Sequence, residues 1–191
     1  GSAVVTADGP IAAILNTVKP GGASEADPIR YGAATGIGGG GTSGGLNPSS
    51  DVYAPYLRRN YYDYDSYIAV QNTSDSEADI TVTYKDLNGM EVTQETAQDV
   101  PAYSTHIFYQ DDNATLGTFG GSGIISSDQP VAVVVNAFNS DAGFESYNGF
   151  PMGGQKWYMP KIDLEYYGYT SGLSIQNVSS VTATMMITFT M

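Results

Sequence analysis

The chain has 191 residues, with 20 acidic side chains against 7 basic ones and a net charge of −13. That balance opposes nucleic-acid binding, which needs a basic surface to displace phosphate counterions, and docking on anionic lipid. With no cysteine and one histidine, His106, the chain excludes disulfide scaffolds, thiol nucleophiles and multi-histidine metal centres within one chain.

The 41% hydrophobic content suffices for a packed core, and no apolar run is long enough to span a bilayer as a helix. In chain order, the apolar run Ile11–Leu15 follows the turn Asp8-Gly9-Pro10 and reads as a buried strand. Residues 36–45 are almost all glycine, serine and threonine and read as a flexible linker. A phosphate-cradling loop would need Lys-Ser/Thr after its last glycine, where Leu46-Asn47 stands. Period-two alternation predicts strands at Tyr67–Gln71, Ile80–Tyr84, Glu91–Gln98 and Tyr103–Tyr109. Asn88-Gly89 marks a hairpin between the second and third of these. Asp128-Gln129-Pro130 predicts a turn into Val131–Asn136, a continuous apolar run expected to be buried on both faces. Leu173–Gln176 and Met185–Phe189 are further expected strands, and no segment carries a convincing helical stripe.

An internal repeat organises these elements. Residues 1–18 match residues 121–138 at an offset of 120, with 6 of 18 positions identical. Residues 53–84 match residues 158–189 at an offset of 105, with 11 of 32 identical, among them Tyr61-Tyr62, Tyr64 and Gln71-Asn72. The predicted organisation is therefore all-β: tandem immunoglobulin-like β-sandwich units, one complete and two half-units at the chain ends. Residues 1–35 form the C-terminal half of one unit, 36–50 the linker, 51–150 the complete unit and 151–191 the N-terminal half of a following one. The half-units are expected to be closed by the ends of the same chain or a neighbouring chain, or to be parts of a longer tandem array. Strands expected to cross between units carry Val4, Val5, Ile11, Ile14 and Leu15 at one end and Met185, Ile187 and Phe189 at the other.

Together, the Tyr-Tyr-x-Tyr-x-Ser segment, Gln-Asn before an alternating strand, Ser-Asp-Gln-Pro before a valine run, and Tyr147-Asn148-Gly149-Phe150 resemble the tandem β-sandwich repeats of large secreted surface proteins of filamentous bacteria of the Chloroflexi type. The resemblance covers nearly the whole chain except residues 36–50. It implies an extracellular structural or adhesive role and carries over no catalytic residues.

Candidate chemistry is sparse. His106 lies on a strand without an elbow motif to supply a nucleophile, and reads as a strand histidine. The chain is expected not to be an enzyme. Asp63, Asp65, Asp86, Asn88, Asp111 and Asp112 are hard oxygen ligands on loops and candidates for Ca²⁺, although none fits the spacing of a helix–loop–helix calcium site and turns use such residues for themselves. Asn72, Asn113 and Asn177 stand in glycosylation sequons. Tyr61, Tyr62 and Tyr64, with their copies Tyr166, Tyr167 and Tyr169, form either a packing face or a stacking face for sugars. The expected function is an extracellular filament or surface layer of head-to-tail units, a homopolymer without cofactor other than calcium. The alternative is a cell-surface adhesin that binds glycans.

Overall fold

A computed structural model describes residues 47–140, 143–165 and 170–189, together with the strand backbone of 14–19 and 30–35. The described strands are β1 (Ile14–Lys19), β2 (Arg30–Thr35), β3 (Ser49–Arg59), β4 (Tyr64–Asn72), β5 (Ala78–Asp86), β6 (Glu91–Val100), β7 (Thr105–Tyr109), β8 (Phe119–Asn139) and β9 (Phe144–Asn148). A single 3₁₀ turn, Ala114–Leu116, is the sole helical element among the described residues.

Strands β3 to β9 make one seven-stranded antiparallel sheet that curls into a half-barrel around β8. The 21 residues of β8 are shared between two sets of partners. Its first half pairs with β3 (Val52 opposite Ile125) and with β5 (Val82 opposite Ile125). Its second half pairs with β4 (Ile68 opposite Val135) and with β9 (Val135 opposite Tyr147). A strand has two edges, so both halves are saturated. The change of partners falls near Pro130, which has no N–H to donate. Its carbonyl accepts from Thr73 N at 3.0 Å. The predicted turn at Asp128–Pro130 is thus no turn: the backbone stays extended and only its partners change.

Along β8 the side chains alternate. Val131, Val133 and Val135 are fully buried while Ala132 and Val134 are half-buried, so this run covers one core face rather than two. The same core takes Leu57 from β3, Ile68 and Val70 from β4, Ile80, Val82 and Tyr84 from β5, and Phe108 from β7. Each such side chain contributes about 1.5–3 kcal/mol of transfer free energy. A buried polar chain crosses this core. Gln110 Nε2 donates to the Tyr84 hydroxyl at 3.0 Å, which donates to Glu95 Oε2 at 3.1 Å, and Ser66 Oγ lies 2.9 Å from Gln110 Oε1. Burial pushes the Tyr84 phenol far above its ordinary range.

The Tyr147-Asn148-Gly149-Phe150 motif is the clasp of this sheet. Tyr147 OH donates to Tyr56 O at 2.6 Å and accepts from Tyr56 N at 3.1 Å. Phe150 and Tyr53 exchange backbone hydrogen bonds at 2.8 and 2.9 Å. A Cβ on Gly149 would collide with Val52 Cγ1 and stand 3.0 Å from Val133 Cβ, so the backbone approaches here as only glycine allows.

The expected strands at Tyr67–Gln71, Ile80–Tyr84, Glu91–Gln98 and Val131–Asn136 all lie in observed strands. Residues 103 and 104 precede β7, which covers the remainder of the run predicted there. Leu173–Gln176 and Met185–Phe189 differ: no strand occurs in 151–165 or 170–189. Those segments alternate and carry apolar residues, but a strand needs an edge to pair with, and none meets them among the described residues.

Candidate functional site

Two regions stand out: the tyrosine turn at Tyr61–Tyr64, and the strandless segment 170–189 together with the β1–β2 pair.

Tyr61 and Tyr64 exchange backbone hydrogen bonds at 3.1 and 3.2 Å, closing a two-residue turn. Both central residues are left-handed, Tyr62 at φ 52° and Asp63 at φ 60°, the geometry of a type I′ hairpin made without glycine. Tyr61 packs edge-on against Tyr62, with centroids 4.6 Å apart, and lies over Gly120 with its ring carbons 2.7–3.0 Å from where a Cβ would stand. Arg58 is stacked among the rings, 4.3 Å from the Tyr56 centroid and 4.9 Å from that of Tyr64. Tyr62 is the member that faces water, 77% exposed. The tyrosine face therefore divides: Tyr61 and Tyr64 pack, and Tyr62 is displayed. Arg58 and Tyr56 were not foreseen, because their copies in the repeat are Asp163 and Lys161, which form an ion pair of 2.7 Å instead. Tyr166, Tyr167 and Tyr169 lie outside the described residues.

The calcium candidates are dispersed over three turns. Asp86 serves its own hairpin, its carboxylate accepting from Met90 N at 2.8 Å and Asn88 N at 2.9 Å. The backbone N–H of Met90 above all holds this carboxyl below the usual Asp range. Asp65 accepts from Asn60 N at 2.7 Å, and Asp63 occupies the left-handed position just described. Asp111 gives its backbone carbonyl to the Arg59 guanidinium, and Asp112 stands beside it in the following turn. Among the described residues no three His, Asp or Glu side chains converge on a metal position.

The sequon asparagines differ sharply. Asn72 is fully buried, and its Nδ2 reaches Ser76 O at 2.6 Å, Val100 O at 3.1 Å and Pro101 O at 3.3 Å. No N–H is left for a sugar, so the reading of Asn72 as a glycan acceptor does not fit this fold: the asparagine is a turn organiser. Asn113 Nδ2 donates to Glu95 Oε2 at 3.0 Å, and Asn177 is exposed. His106 is an exposed residue of β7, packed edge-on against Phe108.

Segment 163–181 repeats the local hydrogen bonds of 58–76, each at an offset of 105. Arg58 N donates to Ser66 Oγ at 2.9 Å, and Asp163 N to Ser171 Oγ at 2.9 Å. Asn60 N donates to Asp65 Oδ1, and Glu165 N to Thr170 Oγ1. Asn60 and Glu165 are both left-handed, at φ 47° and 54°. Asn72 Nδ2 bonds Ser76 O at 2.6 Å, and Asn177 Nδ2 bonds Val181 O at 2.7 Å. Ser74 N and Ser179 N close the same Asx turn on Oδ1 of their asparagine at 3.0 and 3.1 Å. The turns recur and the sheet does not. The apolar residues that would fill a core lie in water: Met185 is 58%, Ile187 51% and Phe189 68% exposed.

At the other end, β1 and β2 pair antiparallel, Ile14 opposite Thr35 and Val18 opposite Tyr31. At the repeat offset of 120 β1 matches Val134–Asn139 of β8; β2 follows β1 as β9 follows β8, but lies beyond the residues 24–28 that match β9 at that offset. Of the expected inter-unit residues, Ile14 and Leu15 lie on β1; Val4, Val5 and Ile11 lie outside the described residues.

No protein-family model and no curated protein matches the chain. A solved structure described as the crystal structure of Thermotoga maritima 1070 is similar over 58% of this chain and 100% of its own, with 15% identity and a TM-score of 0.47. No helix among the described residues is long and apolar enough to cross a membrane.

Proposed function

We propose that this chain is a structural module of an extracellular filament or surface layer, built of immunoglobulin-like β-sandwich units joined head to tail. The joining is by strand complementation between subunits or by covalent tandem repetition. The observation that carries this reading is segment 163–189: it has the turn chemistry of a complete unit, the apolar alternation of its strands, and no sheet to lie in. Exposed apolar strands of this kind recruit a partner edge. The two flanks carry almost no net charge, whereas residues 51–150 hold 15 acidic and 3 basic side chains. Flank-to-flank contact therefore escapes the repulsion that keeps the central units apart. Negative-stain microscopy of the purified chain, with intact mass from the native source, tests this. Ordered polymers or a mass several-fold above 20.2 kDa support it. A monodisperse 20.2 kDa monomer at high concentration overturns it.

The second reading, an adhesin, rests on Tyr62, a largely exposed aromatic ring held in a left-handed backbone. Strain of this type persists where the surrounding structure enforces it and clusters at binding sites. Glycan-array binding lost on Tyr62→Ala, with assembly unaffected, favours this reading.

A further inference from the structure

We propose that residues 170–174 of one chain pair antiparallel with β1 of a second copy, Leu173 facing Leu15, and so take the β1–β2 pair as their missing strands. This rests on the filament reading above and names the joint. The register follows from the complete unit. There Ile68 on β4 faces Val135 on β8. Ile68 shifted by the 105-residue offset is Leu173, and Val135 shifted back by the 120-residue offset is Leu15. The same shift sets Ser171 opposite Thr17 and Thr170 opposite Val18.

Both sides of the joint are prepared for it. Val135 of β8 has β9 on one side and β4 on the other. Its counterpart β1 pairs with the strand that follows it, β2, as β8 pairs with β9 though in a different register, and has no β4 counterpart among the described residues. The β4 counterpart, as far as it is described, is segment 170–177, whose flanking turns are already closed by Ser171 and Asn177. Strand pairing there needs little further ordering beyond the strand itself. In its present place the segment is loosely held. Gln176 Nε2 reaches Gly123 O at 3.2 Å, yet Gln176 Oε1 is buried without a hydrogen-bond partner. An unsatisfied acceptor of that kind opposes the contact.

The occupant is a second copy because within one chain the two elements are directed to different places. The backbone of β2 runs beside β9, which pairs with the second half of β8. Gln176 touches Gly123, in the first half of β8.

The chain has no cysteine, so single replacements report without background. Full-length Leu15→Cys and Leu173→Cys chains are mixed under mild oxidation and resolved without reductant. Directly opposed strand residues lie within disulfide range. The expected result is a mixed dimer, absent from either variant alone. Mixing Leu173→Cys with Asn16→Cys should give roughly tenfold less, because a one-residue slip turns the side chain to the other face. The double variant Leu15→Cys/Leu173→Cys should give a ladder of multimers. A fast-migrating cross-linked monomer instead overturns the second copy in favour of self-closure. If the unmodified chain polymerises but the mixed pair does not cross-link, the joint is wrong and the filament reading stands. If nothing sediments faster at higher concentration and nothing cross-links, both fail. Sedimentation of each variant beside the unmodified chain shows whether it still assembles, so misfolding is not mistaken for a wrong register.

Discussion

Asn72 and Asn177 make the same local hydrogen bonds in opposite environments, and alanine at each separates burial from turn chemistry. Asn72→Ala removes the donor to Ser76 O, Val100 O and Pro101 O and the acceptor for Ser74 N. At net values of about 0.5–1.5 kcal/mol per hydrogen bond, with Val100 O left buried and unpaired, the loss is roughly 3 kcal/mol. For a unit of this size each 1 kcal/mol moves Tm by about 4–8 °C, so Tm should fall by more than about 10 °C in a thermal melt followed by near-UV circular dichroism. Asn177 lies in water, and Asn177→Ala should shift the monomer's Tm by no more than about 2 °C, the equivalent of about 0.5 kcal/mol for an exposed site. If polymers form through the proposed joint with β1, Asn177 gains an ordered turn but not the bonds that Asn72 makes to Val100 O and Pro101 O, so Asn177→Ala should cost about 1 kcal/mol of polymer stability, less than Asn72→Ala costs the monomer. Dissociation by denaturant reads that difference. A fall below about 3 °C for Asn72→Ala would refute the burial argument, and unchanged polymer stability for Asn177→Ala would refute the ordering of its turn in the joint.

Three other outcomes are expected. Burial raises the Tyr84 phenol above its ordinary range near pH 10, so the unfolded state alone loses that proton as pH climbs past 10. Stability is then fully present below pH 10 and falls by about 1.4 kcal/mol per pH unit above it for this residue, with a further loss from Tyr147, raised for the same reason. Urea titrations at pH 9–11.5 should show that slope, and Tyr84→Phe should flatten it; an unchanged slope removes the linkage. Gly149→Ala should destabilise by about 1–3 kcal/mol through overpacking against Val52 and Val133, read as the midpoint shift in urea. Tyr62→Gly should relieve a left-handed tyrosine and stabilise by about 1 kcal/mol. If it destabilises instead, the Tyr61–Tyr62 contact outweighs the strain.

Where one face is buried and the other wet, the sequence was legible, and Ile80–Tyr84 shows why: burial follows its alternation residue by residue. Strand β3 was missed because Pro55, Arg58 and Arg59 break that alternation, and its irregular pairing with β8 absorbs them through register shifts. The first half of β8 was missed because Gly120-Gly121-Ser122-Gly123 reads as linker. Those glycines instead admit Tyr61, Lys85 O and Leu57 against the strand. Asp128-Gln129-Pro130 has turn composition, yet a strand whose partners change there needs no N–H at position 130. The tyrosine turn was hidden because tyrosine is no turn former. The signal was in the repeat, where Asp63 is replaced by Gly168, a pair of residues that share tolerance of positive φ. The strands expected at Leu173–Gln176 and Met185–Phe189 failed for a different reason: local pattern specifies what a strand can be, and only an available edge makes it one.

The sharing of β8 between two sets of partners also dictates the order of events during folding. Before residue 119 has emerged, β4 can meet β7 and β5 can meet β6, but β3 has no strand to pair with. Every larger closure waits for one late segment whose contacts reach back across the sequence. Such a topology folds on the millisecond-to-second scale rather than in microseconds. During that wait the nascent half-sheet presents unpaired edges of the kind that other chains can pair with, so spacing between emerging chains becomes a determinant of yield.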